Sequence, residues 1–486
     1  MRRAARTLLA SFAAVFSCIF ILYGNHIINS FSNHRLMLPT RLILETNAQH
    51  HIDNIGILKE IGREFLPNFK NPCWYESRKD RHEEGKVTNF DGTSTKLSIL
   101  KHHYERQSDK ILRCLPYFFL IGQPKCATTD VFQRINIHPD VVEPIVKGPH
   151  WWTRKRYGQP YASQPVTFSE YLDVFNATKI EEGGKRCKED PHKLCHEKIT
   201  GDGSTSTLWD SSPSMNYLYR IMSGSMRESI SRSLLSRRHV SHSFLDKHSY
   251  MEVNTTKNPK SKGYIENLQV IKYPNYYGPE EGVVLPFTVA DVIHSILPGS
   301  RIIVVIREPV SRLYSSYLFF TKKTSVSPEN FDENVKNSIK KWHDCTRQYS
   351  ERTCAYNKTL QNSLGVRLYN GLYSIFLRDW LEVFQQDQVL VLRMEDYHQN
   401  ITKTIASIYH HLGLRTLTGE EEKRVNMAPV RNKNWKKPNI GRMLESTEKV
   451  IREFYKPYNQ DLAILLKDSR FTWHDIYLRN EEQNAG

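Results

Sequence analysis

Several patterns that would assign this chain to a common class of enzyme are missing from its sequence. The Walker motif G-x-x-x-x-G-K-[ST], whose glycines cradle a nucleotide phosphate, does not occur, and no Mg²⁺-binding pattern stands out. No His or Cys residues stand at the spacing of a zinc site, and no internal repeat is evident. These absences disfavour a P-loop kinase, a metal-dependent enzyme and a repeat protein.

Cysteine is also scarce, with 8 in 486 residues. Cys18 lies in an apolar run near the N-terminus, and Cys126 lies in a loop that is discussed below. Two close pairs predict short disulfide loops, and a third, more distant pairing is the weakest of the three. The pairs are Cys187/Cys195, Cys345/Cys354 and Cys73/Cys114. Sequons for N-glycosylation occur at Asn176, Asn254, Asn357 and Asn400, and together with the cysteines they favour a lumen of the secretory pathway.

The N-terminus predicts a membrane anchor. Three arginines precede an apolar run at residues 7–23, which has the length of a short membrane span, about 17 residues. No clear small-x-small site follows, which disfavours a cleaved signal peptide, and the preceding positive charge predicts a cytosolic N-terminus. We therefore expect a single-pass type II membrane protein. Its parts are a cytoplasmic tail (1–6), an anchor (7–24), a luminal stem with little core (25–110), a globular domain (111–480) and a short tail (481–486).

The charge balance is strongly basic, with a formal net charge of +16 and a pI near 9.3. Such a positive electrostatic field suits an anionic partner, which could be nucleic acid, acidic lipid or acidic polysaccharide. The predicted luminal location disfavours nucleic acid. A basic segment rich in Ser and His, residues 223–262, stands apart as an insertion in the domain. A solvated loop and a substrate-binding arm both fit this segment.

The chain is organised around residues 117–129, whose sequence is Tyr-Phe-Phe-Leu-Ile-Gly-Gln-Pro-Lys-Cys-Ala-Thr-Thr. The unbroken apolar run predicts a strand that is buried on both faces. A glycine ends the run, a Pro-Lys turn follows, and two threonines open a helix. This arrangement aims backbone N–H groups and the positive helix end at one point, where Lys125 adds a charge. We therefore predict a phosphate-binding loop.

Strand and helix patterns alternate through the rest of the domain. Apolar runs predict buried strands at residues 301–306 and 389–392. Amphipathic patterns predict helices at residues 169–175, 287–297, 310–320, 373–384 and 401–412. This alternation predicts an α/β domain with a central parallel sheet flanked by helices. Ligands of such a sheet are expected at the loops that follow its strands.

A second candidate phosphate contact follows the strand at 301–306. Arg307 stands at the end of this strand, where its guanidinium can pair with a phosphate through two hydrogen bonds. Ser315 lies on the next helix and can add a hydroxyl donor. The surrounding pattern is Arg-x-Pro-x-x-Arg-x-x-Ser.

These two segments resemble the sulfotransferases that use 3′-phosphoadenosine 5′-phosphosulfate (PAPS). The order Gly-x-Pro-Lys-x-Ala-Thr-Thr resembles their 5′-phosphosulfate loop, and the arginine segment resembles their 3′-phosphate site. Residues 149–156, 204–210 and 366–373, with Cys345 and Cys354, resemble the branch that sulfates the 6-hydroxyl of 4-sulfated N-acetylgalactosamine in chondroitin or dermatan sulfate.

The resemblance covers residues 117–473 and implies a P-loop-like sulfotransferase fold. It also implies PAPS as co-substrate with no metal, a sulfated glycosaminoglycan as acceptor and a Golgi membrane location. A different glycan acceptor, such as heparan, stays open as an alternative. A homodimeric assembly also stays open.

The resemblance implies roles for particular residues. Lys125 would bind the bridging oxygen and the 5′-phosphate, while Arg307 and Ser315 would hold the 3′-phosphate. The implied donor-binding residues are Gln123, Pro124, Lys125, Cys126, Ala127, Thr128, Thr129, Arg307 and Ser315. The implied acceptor-binding residues are His150, Trp151, Arg154, Lys155, Arg156 and Ser204.

Two positions depart from the family pattern. Where relatives usually have Lys-Glu-Pro-His, with the glutamate as base, this chain has Gly148, which cannot accept a proton. His150 is the nearest chemical substitute, and Glu143 and Asp202 are more remote candidates. Ala127 replaces a usual glycine, which strains the turn if that position needs a positive φ. A catalytically impaired relative that binds PAPS or glycan stays open as an alternative.

Overall fold

The computed structural model describes residues 64–77, 109–158, 165–211, 288–431 and 440–478. The predicted anchor, the basic insertion and Asn254 lie outside these residues. In the part of the chain that the structure describes, no helix combines the length and the apolar character needed to cross a bilayer.

Strands and helices alternate along the described residues. The strands are β1 (Cys73–Ser77), β2 (Lys110–Cys114), β3 (Phe118–Gly122), β4 (Gly184–Arg186), β5 (Leu194–His196), β6 (Gly201–Asp202), β7 (Arg301–Ile306) and β8 (Val389–Arg393). The helices of the first half are α1 (Thr128–Ile135), α2 (Phe168–Leu172), α3 (Ala177–Glu181), α4 (Val289–Ile296), α5 (Pro309–Phe320) and α6 (Pro328–Thr346). Those of the second half are α7 (Glu351–Tyr356), α8 (Lys358–Ser363), α9 (Tyr373–Val383), α10 (Met394–Gln399), α11 (Ile401–His411), α12 (Gly419–Met427) and α13 (Glu445–Leu466).

The central sheet has the strand order β6-β3-β7-β8, and every neighbouring pair is parallel. All residues of β3 are buried, as are residues 302–306 of β7, because helices cover both faces of the sheet. The predicted α/β fold with a parallel sheet flanked by helices is therefore confirmed. The carboxyl ends of β3 and β7 lie side by side, so the loops that follow these strands share one edge.

A hairpin joins two segments that the sequence assigned to the stem and to the start of the domain. Strands β1 and β2 pair antiparallel, and the disulfide Cys73–Cys114 links their ends. Phe69 and Trp74 are buried at 8% and 7% exposure. The prediction that the stem has little core is therefore wrong for residues 64–77. Strand β1 pairs with β2, which lies more than thirty residues downstream. The hydrophobic periodicity of each segment does not indicate this long-range pairing.

Capping residues explain where the predicted helices begin. Helix α4 starts at Val289 because Thr288 forms a capping box with Asp291. Helix α5 starts at Pro309, a residue that suits the first helical position because it has no N–H to satisfy. These starts differ by one or two residues from the predicted ones, as expected for boundaries read from periodicity.

The other two predicted disulfides, Cys187–Cys195 and Cys345–Cys354, are also present, and Cys126 is free and buried. The three described sequon asparagines each cap a helix: their Oδ1 atoms accept N–H bonds of 2.9 to 3.2 Å from the residue three positions later. Glycosylation of these residues stays a prediction. They are Asn176, Asn357 and Asn400.

Candidate active site

The predicted phosphate loop connects β3 to α1. Gly122 ends the strand and packs closely against the segment that contains Leu208. A Cβ added to Gly122 would lie 2.8 Å from Leu208 Cδ2. Thr128 and Thr129 open α1, and the N–H groups of a first helical turn have no carbonyl acceptor within the helix. The loop therefore presents backbone donors and a positive helix end, as an anion site requires.

Two residues of this loop that were predicted to bind the donor have buried side chains. Gln123 is fully buried: its backbone N–H donates to Val305 O at 2.7 Å, and its Nε2 donates to Asn370 O at 2.8 Å. Cys126 is also fully buried, and burial raises the pKa of its thiol to about 12. Both side chains are therefore buried, and their role in donor binding stays a prediction.

Lys125 lies on the loop next to Arg307 at the end of β7. Its Nζ lies 3.9 Å from the centroid of the Phe319 ring. Burial lowers the pKa of Lys125, and the positive charge of Arg307 lowers it further. Two cations within electrostatic reach of each other suit a ligand with more than one negative charge.

Helix α5 carries the remaining residues of the arginine segment. Glu308 fixes its start, because the carboxylate accepts two N–H bonds from the first turn at 2.8 and 2.7 Å. Ser315 follows on the helix and is 7% exposed. Arg312, which lies between them, is fully buried and donates to Arg367 O at 3.0 Å. The fold thus places Arg307 and Ser315 on one strand–helix unit, as predicted.

His150 lies beside the position where relatives carry glutamate. A Cβ added to Gly148 would lie 3.2 Å from His150 Nε2, so the imidazole borders the space that a side chain at residue 148 would enter. The ring Nδ1 is 2.7 Å from Ser206 Oγ, and the backbone N–H donates to Ser204 Oγ at 2.8 Å. Burial lowers the pKa of His150 to about 3, helped by the cations Arg154 and Lys147. The imidazole is therefore neutral at neutral pH.

A buried pair of opposite charge, Lys147 and Asp202, lies next to His150, and the sequence pointed to only one member of it. Lys147 Nζ donates to Thr128 Oγ1 on the phosphate loop at 3.4 Å. Burial lowers the pKa of Lys147 to about 8 and raises that of Asp202 to about 6. Asp202 also accepts a hydrogen bond from the hydroxyl of Tyr171 at 2.9 Å. The sequence offered Asp202 only as a more remote candidate base, and no local pattern links it to Lys147.

The predicted acceptor-binding residues divide into two groups. Trp151 is only 1% exposed and stacks on Tyr171, and Ser204 is 2% exposed and fixes the backbone of His150, so both lie in the interior. Arg154 and its two basic neighbours are partly exposed. Arg154 Nε pairs with Asp210 Oδ2 at 2.6 Å. Together with His150, which is also partly exposed, this second group is placed to reach a large acceptor.

We expect the substitution Ala127→Gly to stabilise the protein by about 1 kcal/mol, because Ala127 has a φ of 56° and the left-handed region strains every residue with a Cβ. Chemical unfolding of the variant would measure this gain. Ala406→Gly, at an exposed position inside α11, is the matched control and should destabilise by about 1 kcal/mol. If Ala127→Gly destabilises like the control, the loop carries no such strain.

Within the described residues, no group of three or more His, Cys, Asp or Glu side chains could hold a metal ion. The site combines a helix N-terminus, two neighbouring cations and a neutral imidazole near one edge of the parallel sheet.

Comparison with protein families agrees with this geometry. A model described as "Sulfotransferase family" matches residues 116–358, which is half of the chain, and one described as "Sulfotransferase domain" matches residues 287–454. The chain therefore belongs to the sulfotransferase family, for which PAPS is the implied sulfate donor. The first match includes both the phosphate loop and the arginine segment, and the second includes the arginine segment.

Its curated relatives include carbohydrate sulfotransferase 15 from three animals. The Homo sapiens protein is 31% identical over 480 residues, which cover 92% of this chain and 72% of that protein. The Mus musculus protein is 32% identical over 434 residues, or 85% of this chain and 66% of that protein. The Nototodarus sloanii protein is 33% identical over 141 residues, or 29% of this chain and 89% of that protein.

Proposed function

We propose that this protein moves the sulfuryl group of PAPS to a hydroxyl of a glycosaminoglycan, namely the 6-hydroxyl of 4-sulfated N-acetylgalactosamine in chondroitin or dermatan sulfate. The observation that carries this proposal is the meeting of Lys125 and Arg307 at the adjoining ends of β3 and β7. The name of the relatives, carbohydrate sulfotransferase 15, supports a carbohydrate acceptor.

The residues present fit the donor. PAPS supplies the sulfuryl group and a phosphate leaving group. Lys125 and the N–H groups of the first turn of α1 would bind its 5′ end, and Arg307 with Ser315 would bind the 3′-phosphate. Lys125 would neutralise the negative charge that develops on the leaving oxygen, as cationic groups do in enzymes that transfer phosphoryl groups.

His150 would take the proton of the acceptor hydroxyl. The imidazole is neutral, and its Nε2 lies against Gly148, where relatives carry a carboxylate. Its pKa of about 3 disfavours proton uptake, so the negative charge of the bound donor would have to raise that pKa for His150 to act as the base. The hydroxyl oxygen would then form a bond to sulfur as the bond from sulfur to the bridging oxygen breaks. Asp202, with a pKa of about 6, is the alternative base in the same region.

The location and assembly form part of the proposal. A single-pass type II anchor at residues 7–24 would place the described domain in the Golgi lumen, where the three disulfides can form. No metal would be required, since the charges at the site are supplied by side chains and the helix end. A homodimer is compatible with this arrangement.

Sulfate transfer from labelled PAPS by the full-length protein would test the function. The acceptors would be chondroitin, chondroitin 4-sulfate, dermatan sulfate and heparan sulfate, with disaccharide analysis of each product. We expect label at the 6-position of 4-sulfated galactosamine. Label on heparan alone would overturn the acceptor assignment, and binding of the product nucleotide without any transfer would favour the impaired relative that Gly148 leaves open.

A further inference from the structure

A cluster of basic and aromatic residues lies beside His150 and is assembled from two distant parts of the chain. Arg154 Nε pairs with Asp210 Oδ2 at 2.6 Å, and Lys358 Nζ pairs with Asp210 Oδ1 at 3.4 Å. Both cations also approach the ring of Trp209, at 5.2 and 5.6 Å from its centroid. We call these four residues the Asp210 cluster.

The Asp210 cluster has an excess of positive charge that is held rigidly. Asp210 is 1% exposed and shares its single negative charge between two cations, which leaves a net charge of +1. The side chains of Arg154 and Lys358 are 25% and 16% exposed, so a ligand can reach them although their positions are fixed. A charge held in a partly desolvated place interacts with an anion more strongly than a mobile surface lysine does.

A second observation points to a ligand at the same place. Trp209 is 3% exposed, and its indole Nε1 has no hydrogen-bond partner among the described residues. Buried N–H groups are almost always paired in folded proteins, so this donor beside the two cations is left for water or for a ligand to satisfy. Within the described residues, the Arg154 side chain is hydrogen-bonded through Nε, so its two Nη groups can donate to a ligand.

The cluster lies on the acceptor side of the proposed reaction. The backbone N–H of Arg154 donates to His150 O at 3.0 Å, so Arg154 and His150 belong to the same backbone turn. Arg154 and Asp210 also both shift the pKa of His150, which places the cluster within electrostatic reach of the candidate base. An anionic group near the reacting sugar can therefore contact the cluster while the hydroxyl faces His150.

We propose that Arg154, Lys358 and Trp209, held by Asp210, bind the sulfate ester that the acceptor already carries. The donors are a guanidinium, an ammonium and an indole N–H, which come from separate side chains. Three separate donors suit the three terminal oxygens of a tetrahedral sulfate, whereas a planar carboxylate is matched by one arginine fork. This inference rests on the proposed function. It makes the subsite a specificity determinant, because the subsite would distinguish a 4-sulfated acceptor from an unsulfated one.

Binding of oligosaccharides to the full-length protein, saturated with 3′-phosphoadenosine 5′-phosphate, would test the subsite without turnover. Calorimetry would compare a chondroitin 4-sulfate hexasaccharide with an unsulfated chondroitin hexasaccharide. We expect the wild type to bind the sulfated sugar about tenfold more tightly, as one charge-assisted hydrogen bond suggests. Lys358→Gln should remove most of that preference by weakening the sulfated sugar alone.

Two further variants keep the test specific. Trp209→Phe removes only the indole N–H and should lower the preference by about threefold, the smaller end of a hydrogen-bond effect. Lys449→Gln makes the same charge change at a side chain that is 72% exposed and pairs with Glu445, and it should leave the preference unchanged. Equal weakening of both sugars by Lys358→Gln, or no preference in the wild type, would overturn the subsite.

This test is separable from that of the proposed function. If the protein transfers no sulfate but Lys358→Gln removes the binding preference, the subsite stands and the catalytic proposal fails. If the protein sulfates chondroitin 4-sulfate and Lys358→Gln leaves the preference intact, the catalytic proposal stands and the subsite fails.

Discussion

Lys125→Ala is expected to reduce the rate of sulfate transfer by about 100- to 1,000-fold, the usual effect of removing one group that stabilises developing charge in a transition state. Lys125 extends from the loop between β3 and α1, and its pKa is lowered by burial and by the neighbouring Arg307. A desolvated ammonium neutralises a leaving oxygen more effectively than a solvated one. Single-turnover transfer from labelled PAPS would measure the chemical step directly.

The control for this variant is the binding of 3′-phosphoadenosine 5′-phosphate. We expect the product nucleotide to bind more weakly to Lys125→Ala, but by a smaller factor than the loss in rate, because Arg307 and the helix end still contact it. Lys449→Ala, which removes an exposed ammonium on α13, should change neither quantity. A transfer rate within about twofold of the wild type would contradict the assigned role of Lys125.

His150→Asn is expected to lower the rate of transfer by about 100- to 10,000-fold, the range of a general base. Asparagine is the suitable replacement because His150 has a φ of 52°, a region that asparagine tolerates better than most residues. Its short amide also keeps a polar group near Ser206. If the variant keeps the wild-type rate, His150 is not the base, and Asp202 becomes the residue to replace.

A glutamate at residue 148 gives the complementary experiment. In the wild type a Cβ there would lie 3.2 Å from His150 Nε2 and 3.4 Å from Gly203 O, so the new side chain would crowd the imidazole. Combined with His150→Asn, the crowding is relieved, and Gly148→Glu should restore part of the lost rate. Failure of the double variant to exceed His150→Asn would show that a carboxylate at residue 148 cannot serve as the base in this site.

The same histidine gives the protein a pH dependence with a defined sign. Its pKa is lowered from 6.5 to about 3 by burial, so the unfolded chain binds a proton below pH 6.5 that the folded chain does not bind. The stability from this group is present above pH 6.5 and is lost as the pH falls toward 3, at about 1.4 kcal/mol per pH unit. Thermal unfolding of His150→Asn should show a shallower loss over that interval.

Local sequence patterns determined much of the fold. The apolar runs at 118–122 and 301–306 became β3 and β7 because a strand buried on both faces has no polar residues to interrupt it. Arg307 and the loop residues from Lys125 to Thr129 follow these strands directly, so their common edge could be inferred from the parallel arrangement. The suspected strain at Ala127 is also present, because the loop requires a positive φ there.

Contacts between residues that lie far apart in the chain could not be predicted from local sequence patterns. Trp151 and Gln123 appeared suited to ligands by their place in a motif, but the fold buries them against Tyr171 and Asn370. Strand β1 was assigned to the stem, because its pairing with β2 depends on a contact across a long stretch of chain.

The sequence by itself determined the parallel sheet, the loop and helix start after β3 and the arginine after β7, since each follows from residues that are neighbours in the chain. Only the tertiary structure decided that His150 Nε2 lies against Gly148 and that Lys358 shares Asp210 with Arg154. Those contacts join side chains from separate segments, and their burial sets the charges and pKa values at the site. Burial of this kind is a property of the packed chain and leaves no local pattern.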